Sequence, residues 1–229
     1  MKSEFSFEIR ILTEQKSKPD TNFLGEFGFS ALICNEFTQN RILFDTGATF
    51  ETLENNLEQF GEDISEINKI VISHNHSEQT GGLKGIYEKN PEIDIYVPEE
   101  IKKNYSHLYK KAKVHGVSEE LEIDENITST GQLGNYLKEQ SLFLKTIDDE
   151  GVILVGCAHP GMDEIITLAK KKFPKIAGLI GGLHEFRKYY FLDEIDMIGA
   201  CHCTKHLEEI SKRFPETYKE IFAGEILRF

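Results

Sequence analysis

Four apolar runs in this 229-residue chain each end on a histidine. They are KIVIS-His74, VILVGCA-His159, AGLIGGL-His184 and MIGAC-His202, and the first delivers a further histidine at His76. Short apolar runs bounded by glycine read as buried strands. In layered α/β folds the strands stay rigid while the loops at their ends converge, so functional side chains gather there. The chain must therefore bring several strand ends to one point. Neutral imidazole is a favoured zinc ligand and suits iron and other divalent ions. An extended H-x-H puts both rings on one side of the strand end, where both can reach one ion. A third histidine from another loop would complete a site that keeps a position for water. The ion would lower the pKa of that water towards neutrality. For His107, His115 and His206 the preferred reading is ordinary: loop residues or satisfied hydrogen bonders.

The rest of the chain alternates strands and helices. Strands are predicted over 5–13, 27–35, 41–44, 69–73 and 93–97, with two more in 114–130 around Ser118 and Glu119. A tight turn joins the second and third near Thr38 to Asn40. Helices are predicted over 50–60, after Gly81-Gly82, over 99–111 and over 162–173. Residues 141–147 and 151–156 read as a hairpin, and 176–180 and 197–200 as strands. Thr204 is placed as the N-cap of a helix running to Phe214. The tail, 220–229, reads as one or two strands. No linker, repeat or low-complexity tract appears, so residues 1–229 read as a single domain.

Composition narrows the function. The net charge of −13 repels phosphate backbones and argues against nucleic-acid binding. One phosphorylated small molecule, needing only a local cationic or metal site, remains compatible. The N-terminus, MKSEFSFEIR, lacks the apolar core of a signal peptide, and no run approaches the roughly 18 apolar residues that cross a bilayer. A cytoplasmic protein with no membrane partner is expected. Four cysteines, Cys34, Cys157, Cys201 and Cys203, are then thiols rather than a disulfide framework. Cys201 and Cys203 beside His202 offer soft donors, although buried structural cysteines are the commoner case. Arg187 and Lys188 could meet a phosphate, against the more ordinary solvated pair.

Several motifs together resemble the metallo-β-lactamase-fold proteins. They are Phe44-Asp45-Thr46-Gly47, then Ser73-His74-Asn75-His76-Ser77-Glu78-Gln79-Thr80-Gly81-Gly82-Leu83, then Gly156-Cys157-Ala158-His159-Pro160-Gly161. Gly181-Gly182-Leu183-His184 and Cys201-His202-Cys203-Thr204 narrow the resemblance. They point to the branch associated with ribofuranosylaminobenzene-phosphate dihydropterin synthases of methanopterin biosynthesis. The resemblance implies a four-layer αββα sandwich, two mixed sheets flanked by helices. It implies His74, His76 and His159 as ligands of a first metal site and His202 as a second-site ligand. It also implies Asp45 as a carboxylate supporting the metal loop. His184 stands near the strand end where many relatives carry a bridging aspartate.

The chain departs from the family's H-x-H-x-D-H at two positions, reading H-x-H-x-E-Q. Gln79 offers a neutral, hard amide oxygen, a weak zinc ligand. Glu78 keeps a charge but moves it by about one methylene, and about 1 Å of misplacement can cost on the order of 10²-fold in rate. One intact metal site and a degraded second site are expected. Three functions fit. The first is a hydrolase of a small molecule, phosphorylated ones included, with zinc or iron bound and manganese as a further candidate. Glu78 and His184 would be its catalytic side chains. The second is a transferase of the pterin-precursor branch, and the third a catalytically impaired metal- or small-molecule-binding protein.

Overall fold

The computed structural model describes residues 5–229, so the first part of the N-terminal stretch read for a leader lies outside the described residues. Strands β1 (Phe7–Thr13), β2 (Ser30–Asn35), β3 (Arg41–Phe44), β4 (Ile67–Val71), β5 (Asp94–Pro98) and β6 (Lys113–Val117) build a first sheet. A second contains β7 (Leu121–Asp124), β8 (Ile127–Ser129), β9 (Leu142–Lys145), β10 (Gly151–Val155), β11 (Ile176–Gly182) and β12 (Ile198–Cys201). The chain then returns, and β13 (Ile226–Arg228) joins the first sheet beside β1. Both sheets are mixed: β1 to β3 pair antiparallel and β3 to β6 parallel. In the second sheet β9–β10 is antiparallel and β10–β11–β12 parallel.

Period-two alternation assigns each strand's two faces to two different cores. Ile9 and Ile11 of β1, Ile33 of β2, Phe44 of β3 and Val71 of β4 point between the sheets, where they meet Leu142, Leu144, Val152, Leu154 and Ile180. The opposite faces of the first sheet, including Leu32, Leu43 and Ile70, pack on α1 (Phe50–Gln59), α3 (Leu83–Lys89) and α4 (Glu99–Leu108), with the single-turn α2 (Ser77–Thr80) between α1 and α3. Ile153, Val155 and Leu179 of the second sheet pack on α5 (Met162–Lys172) and α6 (Leu207–Arg213). The result is the expected αββα sandwich. Strands covered on both faces read as near-continuous apolar runs, which is why they stood out in the sequence.

Two local expectations are corrected. The 114–130 stretch is three strands rather than two. The chain leaves the first sheet after Val117, enters the second at Leu121, and turns through Asn126 (φ 62°) between β7 and β8. Thr204 does not cap α6, which begins at Leu207 after His206. Its hydroxyl instead accepts the Leu183 N–H (2.9 Å) and donates to the Cys201 carbonyl (2.7 Å), tying the ends of β11 and β12 together. Both predicted hairpins are present, with Gln39 (φ 62°) and Asp149 (φ 61°) in their turns.

Candidate metal centre

The ends of β4, β10, β11 and β12 meet at one edge of the sandwich. The loop after β4 carries His74 and His76, that after β10 His159, that after β11 His184 and that after β12 His202. Eight non-glycine residues have positive φ among the described residues, and Asp45, Ala158, His184 and His202 (φ 48–57°) are four of them. Left-handed backbone costs an L-residue on the order of 1 kcal/mol and persists where neighbouring contacts over-determine it.

Those contacts are visible at each loop. Ser73 donates its N–H to Asp45 Oδ1 (2.7 Å) and its hydroxyl to Asp45 Oδ2 (2.6 Å). The Ser73 hydroxyl also lies 2.9 Å from His74 Nδ1. With its proton committed to Asp45, the hydroxyl accepts from His74 Nδ1–H, which leaves Nε2 as the ring's lone-pair nitrogen. Asp45 thus holds, through Ser73, the loop that carries His74. Burial pushes the Asp45 carboxyl well above the usual range, and the Ser73 hydrogen bonds pull the other way. The α2 turn is pinned to the same loop, since Thr46 N–H donates to the Gln79 carbonyl (2.7 Å) and Gly81 N–H to the Gly47 carbonyl (2.8 Å). A Cβ on Gly81 would sit 1.9 Å from the Ala48 carbonyl oxygen, so this approach requires glycine.

Three imidazoles converge. The rings of His74, His76 and His159 lie with centroids 4.6, 4.7 and 5.0 Å apart, each pair edge-on. His74 Nε2 is 3.0 Å from His76 Nδ1, and His159 Nε2 is buried with no hydrogen-bond partner. Two ligands on a tetrahedral zinc with bonds of about 2.0–2.1 Å stand roughly 3.3 Å apart, so the His74–His76 spacing suits a shared cation. His74, His159 and Cys157 place donor atoms within 4.8 Å of one another. Burial pushes His74 far below its ordinary pKa and His159 down to about 4, with the neighbouring rings adding to both shifts. Both rings are therefore neutral near pH 7, the form that binds metal. The residues present fit a single cation.

The second locus is arranged differently. Gln79 Nε2 lies 2.8 Å from His202 Nε2 and 3.5 Å from Cys157 Sγ, so an amide occupies the face of His202 that a second ion would use. Glu78 Oε1 is 3.5 Å from His76 Nδ1 at the cleft wall. His184 packs its ring 5.0 Å from that of His159 and lines the same cleft, a cavity of about 510 Å³. Phe27, 56% exposed, leans on His202 at the mouth. His107 lies on α4, His115 bonds Asp94 (2.6 Å), and His206 precedes α6, so the structure gathers none of the three into this cleft. Lys188 is paired with Asp163 (2.6 Å), whereas Arg187 is exposed.

Against known proteins, the sequence profile of the metallo-beta-lactamase superfamily matches residues 25–177. The chain belongs to that superfamily. This metallo-β-lactamase-fold protein is 27% identical to the 7,8-dihydropterin-6-methyl-4-(β-D-ribofuranosyl)-aminobenzene-5′-phosphate synthase of Methanocaldococcus jannaschii, over 98% of this chain and 97% of that one. It is 32% identical to an uncharacterized protein of the same organism, over 77% of this chain and 78% of the relative. Among solved structures, the metallo-β-lactamase-fold protein YhfI of Bacillus subtilis has a TM-score of 0.71 at 11% identity, over 97% of this chain and 99% of that one. The short form of human tRNase Z has a TM-score of 0.58 at 16% identity, over 96% and 98%. At these identities the structural likeness establishes the fold alone.

Three buried side chains that sequence reasoning missed hold this fold's histidine loops in place. Glu139 accepts the N–H groups of Cys157, Ala158 and His159 (2.9, 2.9 and 2.8 Å). Gln140 donates to the Ile72 carbonyl (2.8 Å) and so bridges from the second sheet to the loop carrying His74. Glu14 accepts the His202 N–H (2.9 Å), and burial raises its carboxyl to about 7.

His202 provides a test by pH. Burial is the main cause that lowers its pKa to about 4, so the unfolded chain takes up a proton below about pH 6.5 that the folded ring refuses. Its contribution to stability is complete above the unfolded value and is lost as pH falls towards the folded one. Glu14 and Asp45, raised by burial, act with the opposite sign, so the informative quantity is a difference. The stability gap between the metal-free wild type and His202→Asn should shrink by on the order of 2–3 kcal/mol from about pH 7 to about pH 4, by urea unfolding. An unchanging gap would show that the ring takes up its proton at the same pH in the folded and the unfolded chain.

Proposed function

We propose that this protein is a hydrolase of a small molecule, working with one metal ion held by His74, His76 and His159. The carrying observation is the convergence of three imidazoles, with His74 Nε2 and His76 Nδ1 3.0 Å apart and His159 Nε2 buried and unpartnered. Zinc or iron suits the donor set, with manganese a further candidate. When bound, the ion would supply Lewis acidity and bring the pKa of a water towards neutrality. Glu78 accepts that proton at Oε1, which faces the cleft beside His76. His184 lies across the cleft near His159 and donates a hydrogen bond or a proton to the leaving group. Phe27 stands against His202 at the cleft mouth and supplies an apolar edge for a substrate. The Gln79–His202 contact supports a single catalytic ion, the second site being degraded. The cleft volume suits a small substrate, phosphorylated ones included, and the charge of −13 disfavours nucleic acid. A cytoplasmic setting fits the four free thiols.

A second reading, a transferase acting on a pterin precursor, is favoured by the near full-length likeness to the M. jannaschii synthase. Protein loaded with zinc, iron or manganese should hydrolyse at least one class in a panel of phosphodiesters, phosphomonoesters, lactones and thioesters. Glu78→Gln should lower kcat by on the order of 10²-fold with the metal content unchanged. Full activity in that variant removes Glu78 from the chemistry. Silence on the whole panel with turnover of a pterin precursor replaces hydrolysis by transfer. Silence on both, with metal bound, leaves a binding protein.

A further inference from the structure

The second locus has lost hard donors, yet it is not lined by inert groups. The donor atoms of Cys157, His202 and Cys203 all lie within 4.8 Å of one another. We infer that these three side chains form a soft cation site, selective for thiophilic ions of the zinc, cadmium and copper(I) class. It stands beside the three-histidine site and does not depend on the catalytic role proposed for that site.

Four observations support it. First, the spacing is within reach. Ligands on a tetrahedral ion with bonds of about 2.3 Å to sulfur and about 2.0–2.1 Å to nitrogen stand roughly 3.4–3.8 Å apart. Second, the Gln79 amide already marks the point where lone pairs meet. Its Nε2 faces both His202 Nε2 (2.8 Å) and Cys157 Sγ (3.5 Å), while its Oε1 is buried without a partner. A cation there takes over what the NH2 group now does for nitrogen and sulfur. Turning the amide about its last bond then aims the unpartnered oxygen at the ion. Third, Gly182 makes room for the thiol, because a Cβ there would stand 2.5 Å from Cys203 Sγ and 2.6 Å from the Gly156 carbonyl oxygen. Fourth, both thiols and His202 line the open cleft, so an ion has a path in. Cys201 makes the contrast. It borders the same cleft but packs into the core between the sheets and belongs to neither group of potential ligands, so the C-x-C sequence contributes one cysteine to packing and one to the site.

Cys157 has a further property. Its sulfur also lies within 4.8 Å of donor atoms on His74 and His159, so it belongs to both groups of potential ligands. A thiolate can be shared by two cations, which an imidazole such as His184 cannot be. Ligand softness then sets occupancy, since thiolates favour zinc, cadmium and copper(I) over manganese. Binding releases the thiol protons.

Metal-free protein should bind one Mn²⁺ per chain but two Cd²⁺. The second Cd²⁺ should bring thiolate-to-metal charge-transfer absorption in the ultraviolet and protect Cys203 from a thiol reagent. Cys203→Ser and Cys203→Ala should each remove the second equivalent of Cd²⁺ and reduce the absorption, with Mn²⁺ binding unchanged. His76→Ala should lose Mn²⁺ and keep the Cys203-dependent Cd²⁺ signal. One Cd²⁺ per chain in the wild type, or an absorption unaltered in both Cys203 variants, would overturn the soft site. Failure of the three-histidine site is separate, and would be seen as Mn²⁺ binding that is absent or that survives in His76→Ala.

Discussion

His76→Ala is expected to remove the ion held by the three imidazoles and to lower turnover by at least roughly 10³-fold. Lewis-acid and water-activating effects of a bound metal amount to several kcal/mol of transition-state stabilisation, at about 1.36 kcal/mol per tenfold in rate. Of the three histidines, His76 gives the cleanest test. Its side chain is 42% exposed, so truncation opens no cavity in the core. His74 is fully buried and is linked through Ser73 to Asp45, so its removal would disturb the loop as well as the ligand set. Elemental analysis gives metal per chain, and thermal unfolding of the metal-free proteins should give closely similar midpoints for wild type and variant. Undiminished metal content in His76→Ala would remove that imidazole from the ligand set.

The strand-end histidines were legible because two rare features coincide there. Apolar runs buried on both faces announce themselves, and histidine is an uncommon way for such a run to end. The sandwich followed from the same runs together with the motif order. Local chemistry was harder to read. Thr204 has the residue type and position of an N-cap, yet its hydroxyl joins two loops from different parts of the chain. Glu139 and Gln140 precede β9 in a polar stretch that looks like any surface loop, and Glu14 looks like the start of one. Their function depends on backbone groups 18 to 188 residues away, which no local pattern encodes. Gln79 was readable as a departure from the family pattern, but not as a donor to His202 and Cys157. Cys157 lay inside a motif where His159 drew the attention, and only folding shows that its sulfur stands between two groups of potential ligands.

Glu139→Ala should lower the unfolding free energy by about 3–6 kcal/mol, a large part of the 5–15 kcal/mol typical of a domain. The carboxylate is fully buried and accepts three consecutive backbone N–H groups, of Cys157, Ala158 and His159. Alanine leaves those donors buried and unpaired, at about 1–3 kcal/mol each. It also frees Ala158 from the contacts that hold its backbone at φ 57°. Burial pushes the Glu139 carboxyl upward, and the three N–H groups oppose that shift. Glu139→Gln separates charge from geometry. Its amide oxygen can still serve Cys157 and Ala158, but its NH2 group would face the His159 N–H, so an intermediate loss of about 1–3 kcal/mol is expected. Because His159 hangs on this bond, both variants should bind the three-histidine ion more weakly although Glu139 touches no metal. Urea unfolding of the metal-free proteins measures the first effect and metal titration the second. A destabilised Glu139→Gln with wild-type metal affinity would show that the loop finds its ligand geometry without the carboxylate, and Glu139 would then serve the fold alone.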